Sequence, residues 1–419
     1  MSPSLISAIQ KTAGRIRALP EVPPVIVLLV IFLLLFFRNM RIFVCPVPWG
    51  EDFSIFISQE YSIGFPRTAF TLYAGYIHLL PRIIAWISVS AGIPVAMYVM
   101  NWSVLLIKVW IFYLIYKSEE ISSRAVRLTL LGYLVLLPFC DEIYNNVTNL
   151  QWWLIPLMAL IILRRSAGAA ALAADVLVLV LTGLTGVNSV MFALPCVFLM
   201  LRRRTAGCVI KCTAVIICAS VQFWCLYSSG RSGNGTVMFE GGILDVIDLF
   251  VNRVIYTTLF KFHTEGPVCI LVFLLYLGVL AFSLRRFGKL LQVQFIFMFA
   301  VVYSAVIFYN FIKTMKDFHE LMTGWAGERY FVFLRICTFV MLVSTLEILF
   351  RHISGRRGLR RLMLCLFLVL SIVLVRHCRV RFPSDYPYWS DVERFESAKP
   401  GESVMFHYAP GWSTALTRK

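Results

Sequence analysis

Charge is what this sequence has least of. Only 15% of its 419 residues are Asp, Glu, Lys or Arg, and 59% are hydrophobic. Soluble domains carry about 25% charged residues, so an ordinary soluble domain is excluded. A succession of alternating apolar–polar segments separated by turns, which a transmembrane barrel needs, is also missing. Acidic groups are the scarcer sign, 22 against 39 basic, leaving a net charge of +17. In a soluble chain that excess would point to nucleic acid. Here the basic residues gather in short segments between apolar runs, as the positive-inside rule expects, and no nucleic-acid partner is expected. The 11 cysteines include no C-x-x-C pair and no Cys/His cluster with zinc spacing. Cys208, Cys212, Cys218 and Cys225 lie in apolar runs and read as packing residues. Cys45 and Cys140 both fall in expected outer segments and are a candidate pair. No internal repeat is visible, which argues against an inverted-repeat transporter. No small-residue cleavage site follows the first apolar run, only "RNMRIF". With Lys11, Arg15 and Arg17 ahead of it, that run reads as an uncleaved span with a cytoplasmic N-terminus.

What is present is a series of apolar runs long enough to cross ~30 Å of hydrocarbon. The expected fold is an all-α polytopic membrane protein. Spans are predicted near 22–41, 97–116, 126–140, 151–163, 169–187, 189–201, 207–228, 267–284, 290–312, 330–350 and 360–376, about eleven in all. Basic clusters then face the cytoplasm: Arg164/Arg165, Arg202/Arg203/Arg204, Arg285/Arg286 and Arg356/Arg357/Arg360/Arg361 among them. The segment 67–93 is apolar, yet carries Arg67, His78 and Arg82 around Pro81. Were it to cross, every later loop would invert. It is therefore expected to be an amphipathic helix in the outer interface, with His78 and Arg82, four apart, on one face. Two units follow: a membrane domain 1–376, with a first outer loop of about 42–96, and an outer tail 377–419. The other outer loops are 141–150, 229–266 and 313–329.

Into these outer loops fall two acidic doublets. Glu51 and Asp52 lie in "WGEDFSIF"; Asp141 and Glu142 lie in "LPFCDEIYNNVTNLQWW". Both sit at one membrane level and can converge. Adjacent carboxylates raise each other's pKa unless a cation relieves them, and one of the four can serve as a general base. Helix caps and hydrated loop charges are the competing explanation. Cations share the layer: Arg67, His78, Arg82, Lys261, His263, Lys313, Lys316, His319 and Arg329. A phosphorylated lipid at the membrane surface needs such groups, Arg above all for its planar fork; headgroup anchoring accounts for others. Arg329 follows Glu328 at the mouth of a span and is expected to pair with it. Asp175, inside a span, reads as structural, within reach of Lys211. The outer tryptophans fit an interfacial belt as well as they fit sugar stacking.

This order of features resembles the GT-C superfamily of integral-membrane glycosyltransferases. Within it, "WGEDFSIF", "GYIHLLPRIIAW", "NVTNLQWWL", "GERYFVFL" and "YAPGWSTAL" are similar to bacterial O-antigen glucosyltransferases, including phage-encoded serotype-converting enzymes. Many relatives begin the first motif with Asp where this chain has Glu-Asp, leaving open which of Glu51 and Asp52 is the base. The resemblance implies a GT-C-like fold with a periplasmic juxtamembrane helix in the first outer loop. It implies an inner-membrane hexosyltransferase that passes glucose from undecaprenyl phosphate to O-antigen, with inversion. Asp52 is expected to take the acceptor proton. Asp141 or Glu142 would orient the acceptor or a divalent cation. Arg82, His78, Arg329, Lys261 and His263 are expected to hold the donor phosphate. A lipid-sugar flippase and synthase are the implied partners. An O-antigen polymerase or ligase, a lipid-linked-sugar transporter and a non-catalytic membrane partner are the competing classes.

Overall fold

An apolar chain in hydrocarbon must satisfy its own backbone, and the helix does so within each segment. The computed structural model describes residues 23–121, 124–230, 242–259, 263–314, 327–353 and 386–419. Its α-helices of eight residues or more are α1 Pro24–Arg38, α2 Leu79–Ser90, α3 Ile93–Lys117, α4 Arg124–Val135, α5 Leu150–Leu163, α6 Ala169–Gly183, α7 Asn188–Arg203, α8 Ala206–Ser228, α9 Ile243–Phe250, α10 Pro267–Phe287, α11 Leu291–Thr314, α12 Val332–Ile353 and α13 Tyr388–Ser397. Five stretches are long and apolar enough to cross a membrane: α3, α8, α10, the first part of α11, and Glu328–Ile348. The chain is therefore a helical membrane protein by length and composition. The other expected spans up to residue 203 also contain helices, but α1, α4, α5 and α6 are shorter. The last, near 360–376, lies outside the described residues.

Contacts sort the connecting segments into two sets. At one end of the helices, Asp52 meets residues 147–148, Gly50 donates its amide to the Ala409 carbonyl at 2.7 Å, His78 bridges Thr185 and Arg253 meets Glu328. At the other, Gln292 binds Glu120 at 2.8 Å and Lys211 donates to the Ile161 carbonyl at 2.8 Å. Asp175 belongs to this second set. Its buried carboxylate takes Ser166 at 2.6 Å, Arg164 and, at 3.7 Å, Lys211, so it is structurally satisfied.

Three expectations are corrected here. The helix of segment 67–93 covers only Leu79–Ser90. Exposed Arg67 sits in a separate 3₁₀ turn, Arg67–Phe70, and His78 precedes the helix rather than sharing a face with Arg82. "TLYAGYI" breaks the run because Ala74 (φ 56°) and Gly75 (φ 86°) turn left-handed. Cys45 and Cys140 are free; buried Cys140 lies 3.2 Å from the Arg38 guanidinium instead.

The chain is also not all-α. After α13 the tail forms an antiparallel hairpin, β1 Ser403–Tyr408 and β2 Trp412–Thr417, with Val404 opposite Leu416 and Phe406 opposite Thr414. Val404, Phe406 and Tyr408 alternate inward, the period-two pattern of a strand with one buried face. The turn closes at Gly411, φ 97°. The inward face packs on the first loop: Phe53 lies 4.7 Å from Phe406 and 5.3 Å from Tyr408, ring centre to ring centre. Trp412 covers Gly50. "YAPGW" and "WGEDF" are thus two sides of one contact.

Candidate active site

The first loop enters the site through a π-helical turn, Asp52–Ile57. Such turns widen the helix and are frequent at functional sites. The turn drives Phe53, Phe56 and Ile57 fully inward. Asp52 goes inward with them, only 1% exposed. One of its oxygens accepts the Val147 amide at 3.0 Å. The other accepts the Thr148 amide at 2.9 Å and the Thr148 hydroxyl at 2.6 Å. Asp52 therefore ties the first loop to the second. Burial raises its pKa from the ordinary 3.8 to about 6, against the pull of the Thr148 and Val147 donors.

Glu51, beside it, stays half-buried and accepts the Tyr73 hydroxyl at 3.1 Å. Burial and the Glu51 charge raise the Tyr73 hydroxyl pKa, while Arg329 pulls it down. Glu51, Tyr73 and Arg329 thus share one electrostatic neighbourhood.

The second loop is held from below. Within α3, Asn101 receives Asn145 at 3.1 Å and reaches the Ile42 carbonyl at 3.2 Å. Buried Lys108 donates to the Tyr144 carbonyl and sits 4.2 Å from the centre of that ring. These two polar residues in an apolar helix were missed by the sequence reading, although a Lys inside a span is itself a signal. Asn149 and Asn146 then bind the Glu142 carbonyl, fixing where the Glu142 side chain starts.

Glu142 pairs with Arg329, not with solvent, at 16% and 28% side-chain exposure. Its carboxyl pKa is raised, first by burial, against the Arg329 charge, with Glu328 and Glu51 adding repulsion. The expected Arg329–Glu328 pair is corrected. Glu328 turns into the protein, where one oxygen takes Arg253 at 2.6 Å and the other takes Arg335. Arg335 also donates to the Arg253 carbonyl at 2.9 Å. Neither Arg253 nor Arg335 was expected; Arg335 in "RYFVFLRICTF" was the legible one, an arginine inside a span. Tyr330 and Trp152, edge to face at 5.2 Å, wall the same place.

The remaining expected residues stand differently. His78 is 0% exposed among Tyr76, Tyr73 and Phe56, and neither ring nitrogen finds a partner among the described residues. Burial, then the Arg82 charge, lowers its pKa to about 3, so the ring is neutral. Arg82 is equally buried, donating to the Ile55 carbonyl at 3.4 Å and the Thr71 carbonyl at 3.2 Å. Both stand behind the surface as fixed supports of the first loop, not as open phosphate ligands. His263 pairs with Glu265 at 2.9 Å on the exterior. Asp141 is half-buried beside Cys140. Lys261, Lys316 and His319 lie outside the described residues, as does the side chain of Lys313. Among the described residues no group of three His, Cys, Asp or Glu gathers in metal-binding geometry. Glu142 already spends its carboxylate on Arg329, so the described donor set does not fit a divalent cation.

What results is a half-open carboxylate, Glu51, within the electrostatic reach of the Arg329 guanidinium, with the Tyr330–Trp152 aromatic wall at Arg329 and the Arg253–Glu328–Arg335 cluster next in sequence. Over the whole group three arginines, 253, 329 and 335, face two pairing carboxylates, 142 and 328. Glu51 makes a third carboxylate, so the charges of the group balance, and Arg329 is the one of these three arginines whose side chain stays partly exposed, at 28%. No protein-family model matches the chain, and no curated protein matches it.

The Asp52 clamp makes a pH prediction. The folded pKa, about 6, exceeds the ordinary 3.8, so between these values the folded state binds more protons and stability falls as pH rises. The contact between the loops is fully favoured below about pH 4 and reaches its weakest above about pH 6 to 7. Hydrogen exchange at the Val147 and Thr148 amides, corrected for intrinsic rates, is expected to be slower at pH 5 than at pH 7.5. An Asp52→Asn variant should lose that difference. Equal protection in the wild type at both values would rule the clamp out as a titrating group.

Proposed function

We propose that this chain is an inverting glycosyltransferase of the bacterial inner membrane. It transfers glucose from undecaprenyl phosphate to an O-antigen acceptor on the periplasmic face, with the N-terminus cytoplasmic and the C-terminal tail periplasmic. The observation that carries the reading is half-open Glu51 within the electrostatic reach of partly exposed Arg329, where the loops of one end of the helices meet. Glu51 takes the proton of an acceptor hydroxyl. The acceptor oxygen forms a bond to the anomeric carbon as the bond from that carbon to the phosphate oxygen breaks on the opposite face. The electron pair leaves with the polyprenyl phosphate, whose charge grows in the transition state. A preorganised guanidinium is worth most against such charge, and Arg329, partly exposed and backed by Arg253 and Arg335, is in position to supply it. Asp52 holds the two loops together and so sets the distance between Glu51 and Glu142. The sequence motifs quoted above and the five membrane-length helices support the same reading.

The test is transfer in proteoliposomes holding the purified chain, labelled undecaprenyl-phosphate glucose and O-antigen lipid. Labelled acceptor with inverted anomeric configuration is the expected product. Labelling from a nucleotide sugar, or none from the lipid donor, would end the reading.

A further inference from the structure

Outside the site just described, the tail carries a concavity. It lies between α13 and the β1–β2 hairpin, has a volume of about 430 Å³, and is lined by Tyr386, Ser390, Asp391, Arg394, His407 and Trp412 among others. We propose that this cleft is a saccharide subsite, seating the acceptor glycan on the proposed glycosyl-transfer reading.

Its floor is a buried network. The Asp391 side chain is 0% exposed, yet both its oxygens are used. One pairs with Arg394. The other accepts the His407 amide at 2.7 Å and lies 3.0 Å from His407 Nδ1. With Nδ1 engaged by the carboxylate, Nε2 is the ring atom of His407 left for a ligand. The two partners that Asp391 orients stay open: Arg394 is 61% and His407 47% exposed at the side chain. The cleft therefore offers fixed donors from Arg394, the ring nitrogen Nε2 of His407, and the phenol of Tyr386. Trp412 adds a large aromatic face, 43% exposed.

This combination selects a ligand class. A pyranose ring has an apolar C–H face, which stacks on an aromatic, and a rim of hydroxyls that both donate and accept. Ligand pockets of roughly 300–1,000 Å³ with aromatic lining and a few placed polar groups fit that description. A bare anion fits less well, because Asp391 already neutralises Arg394. The network is not what docks the tail, since the Phe53, Phe406 and Tyr408 rings do that on the opposite face of β1. Position supplies the last argument. The Trp412 ring lies 3.5 Å from where a Cβ on Gly50 would stand, and Gly50 immediately precedes Glu51. A glycan stacked on Trp412 borders the proposed base.

Binding is measured by saturation-transfer NMR and calorimetry on the full chain in nanodiscs. The probe is O-polysaccharide released from lipopolysaccharide by mild acid. Saturable binding is expected in the wild type and in Glu51→Gln, with affinity lowered about tenfold or more in both Trp412→Ala and Arg394→Gln. Arg394 is exposed enough that its Gln variant should fold. Loss in Trp412→Ala alone counts against the subsite, because undocking of the tail would produce it. No saturable binding, or wild-type affinity in both variants, also overturns it. The two proposals fail separately. Binding without any transfer would leave the subsite standing and remove the glycosyl-transfer reading. Transfer whose acceptor KM is unmoved in both variants would do the reverse.

Discussion

Glu51→Gln is expected to slow sugar transfer by about 10²–10⁴-fold, the usual worth of a positioned general base, while the donor's KM changes little. The amide keeps the shape of the side chain and can still accept the Tyr73 hydroxyl that reaches Glu51 at 3.1 Å. Only proton uptake is lost, so the effect should fall on kcat. Tyr73→Phe removes that hydrogen bond without removing the base, and a much smaller change is expected. Asp52→Asn acts in another way. Each Asp52 oxygen accepts from a different backbone amide, Val147 or Thr148, so an amide NH₂ must oppose one of two donors. The cost is a lost buried hydrogen bond and an unsatisfied donor, about 1–3 kcal/mol. It should appear as a lower melting temperature in detergent, with turnover retained in the fraction that stays folded. Both carboxylates are tested in one assay with initial rates over donor concentration. Full activity in Glu51→Gln with an inert but folded Asp52→Asn would return the base to Asp52.

The assignment differs from the sequence expectation for a physical reason. Two neighbouring carboxylates look alike in one dimension. Which of them turns inward is set by the π-helical turn at Asp52–Ile57 and by the amides of Val147 and Thr148, nearly a hundred residues away. Long-range backbone donors leave no trace in local spacing. What was legible is whatever hydropathy carries: the helices that follow the apolar runs, and the gathering of both acidic doublets at one end. The interfacial segment was half legible. Its apolarity marked a helix, but the left-handed pair Ala74–Gly75 delays the start to Leu79. The hairpin was legible and missed, for "SVMFHY" alternates with period two and "PG" closes the turn. Lys108 and Arg335, each buried within a span-forming helix, were visible as isolated charges in apolar runs. Their partners were not, because Tyr144 and Glu328 come from loops.

Glu328→Ala carries the largest expected loss of stability. Its carboxylate, 8% exposed, holds Arg253 on one oxygen and Arg335 on the other, and Arg335 is itself fully buried in the core. Removing one partner of a buried ion pair costs about 3–5 kcal/mol, because the other charge stays desolvated. Here two guanidinium groups lose the same carboxylate, so the upper part of that range applies. The lost pair also anchors residues 251–258 against the start of Glu328–Ile348. Arg329, the next residue, should therefore lose its fixed approach to Glu142. Glu328→Gln is milder, since its remaining oxygen still accepts from one arginine. Adding Arg335→Met to Glu328→Gln removes the stranded charge and should restore part of the stability, as replacing a buried ionic group by an apolar one often does. The measurement is the melting temperature of each variant in the same detergent, read beside limited proteolysis. If Glu328→Ala melts with the wild type, the arginines are solvated in the membrane-bound protein, and the Arg253–Glu328–Arg335 cluster next to Arg329 is not preorganised.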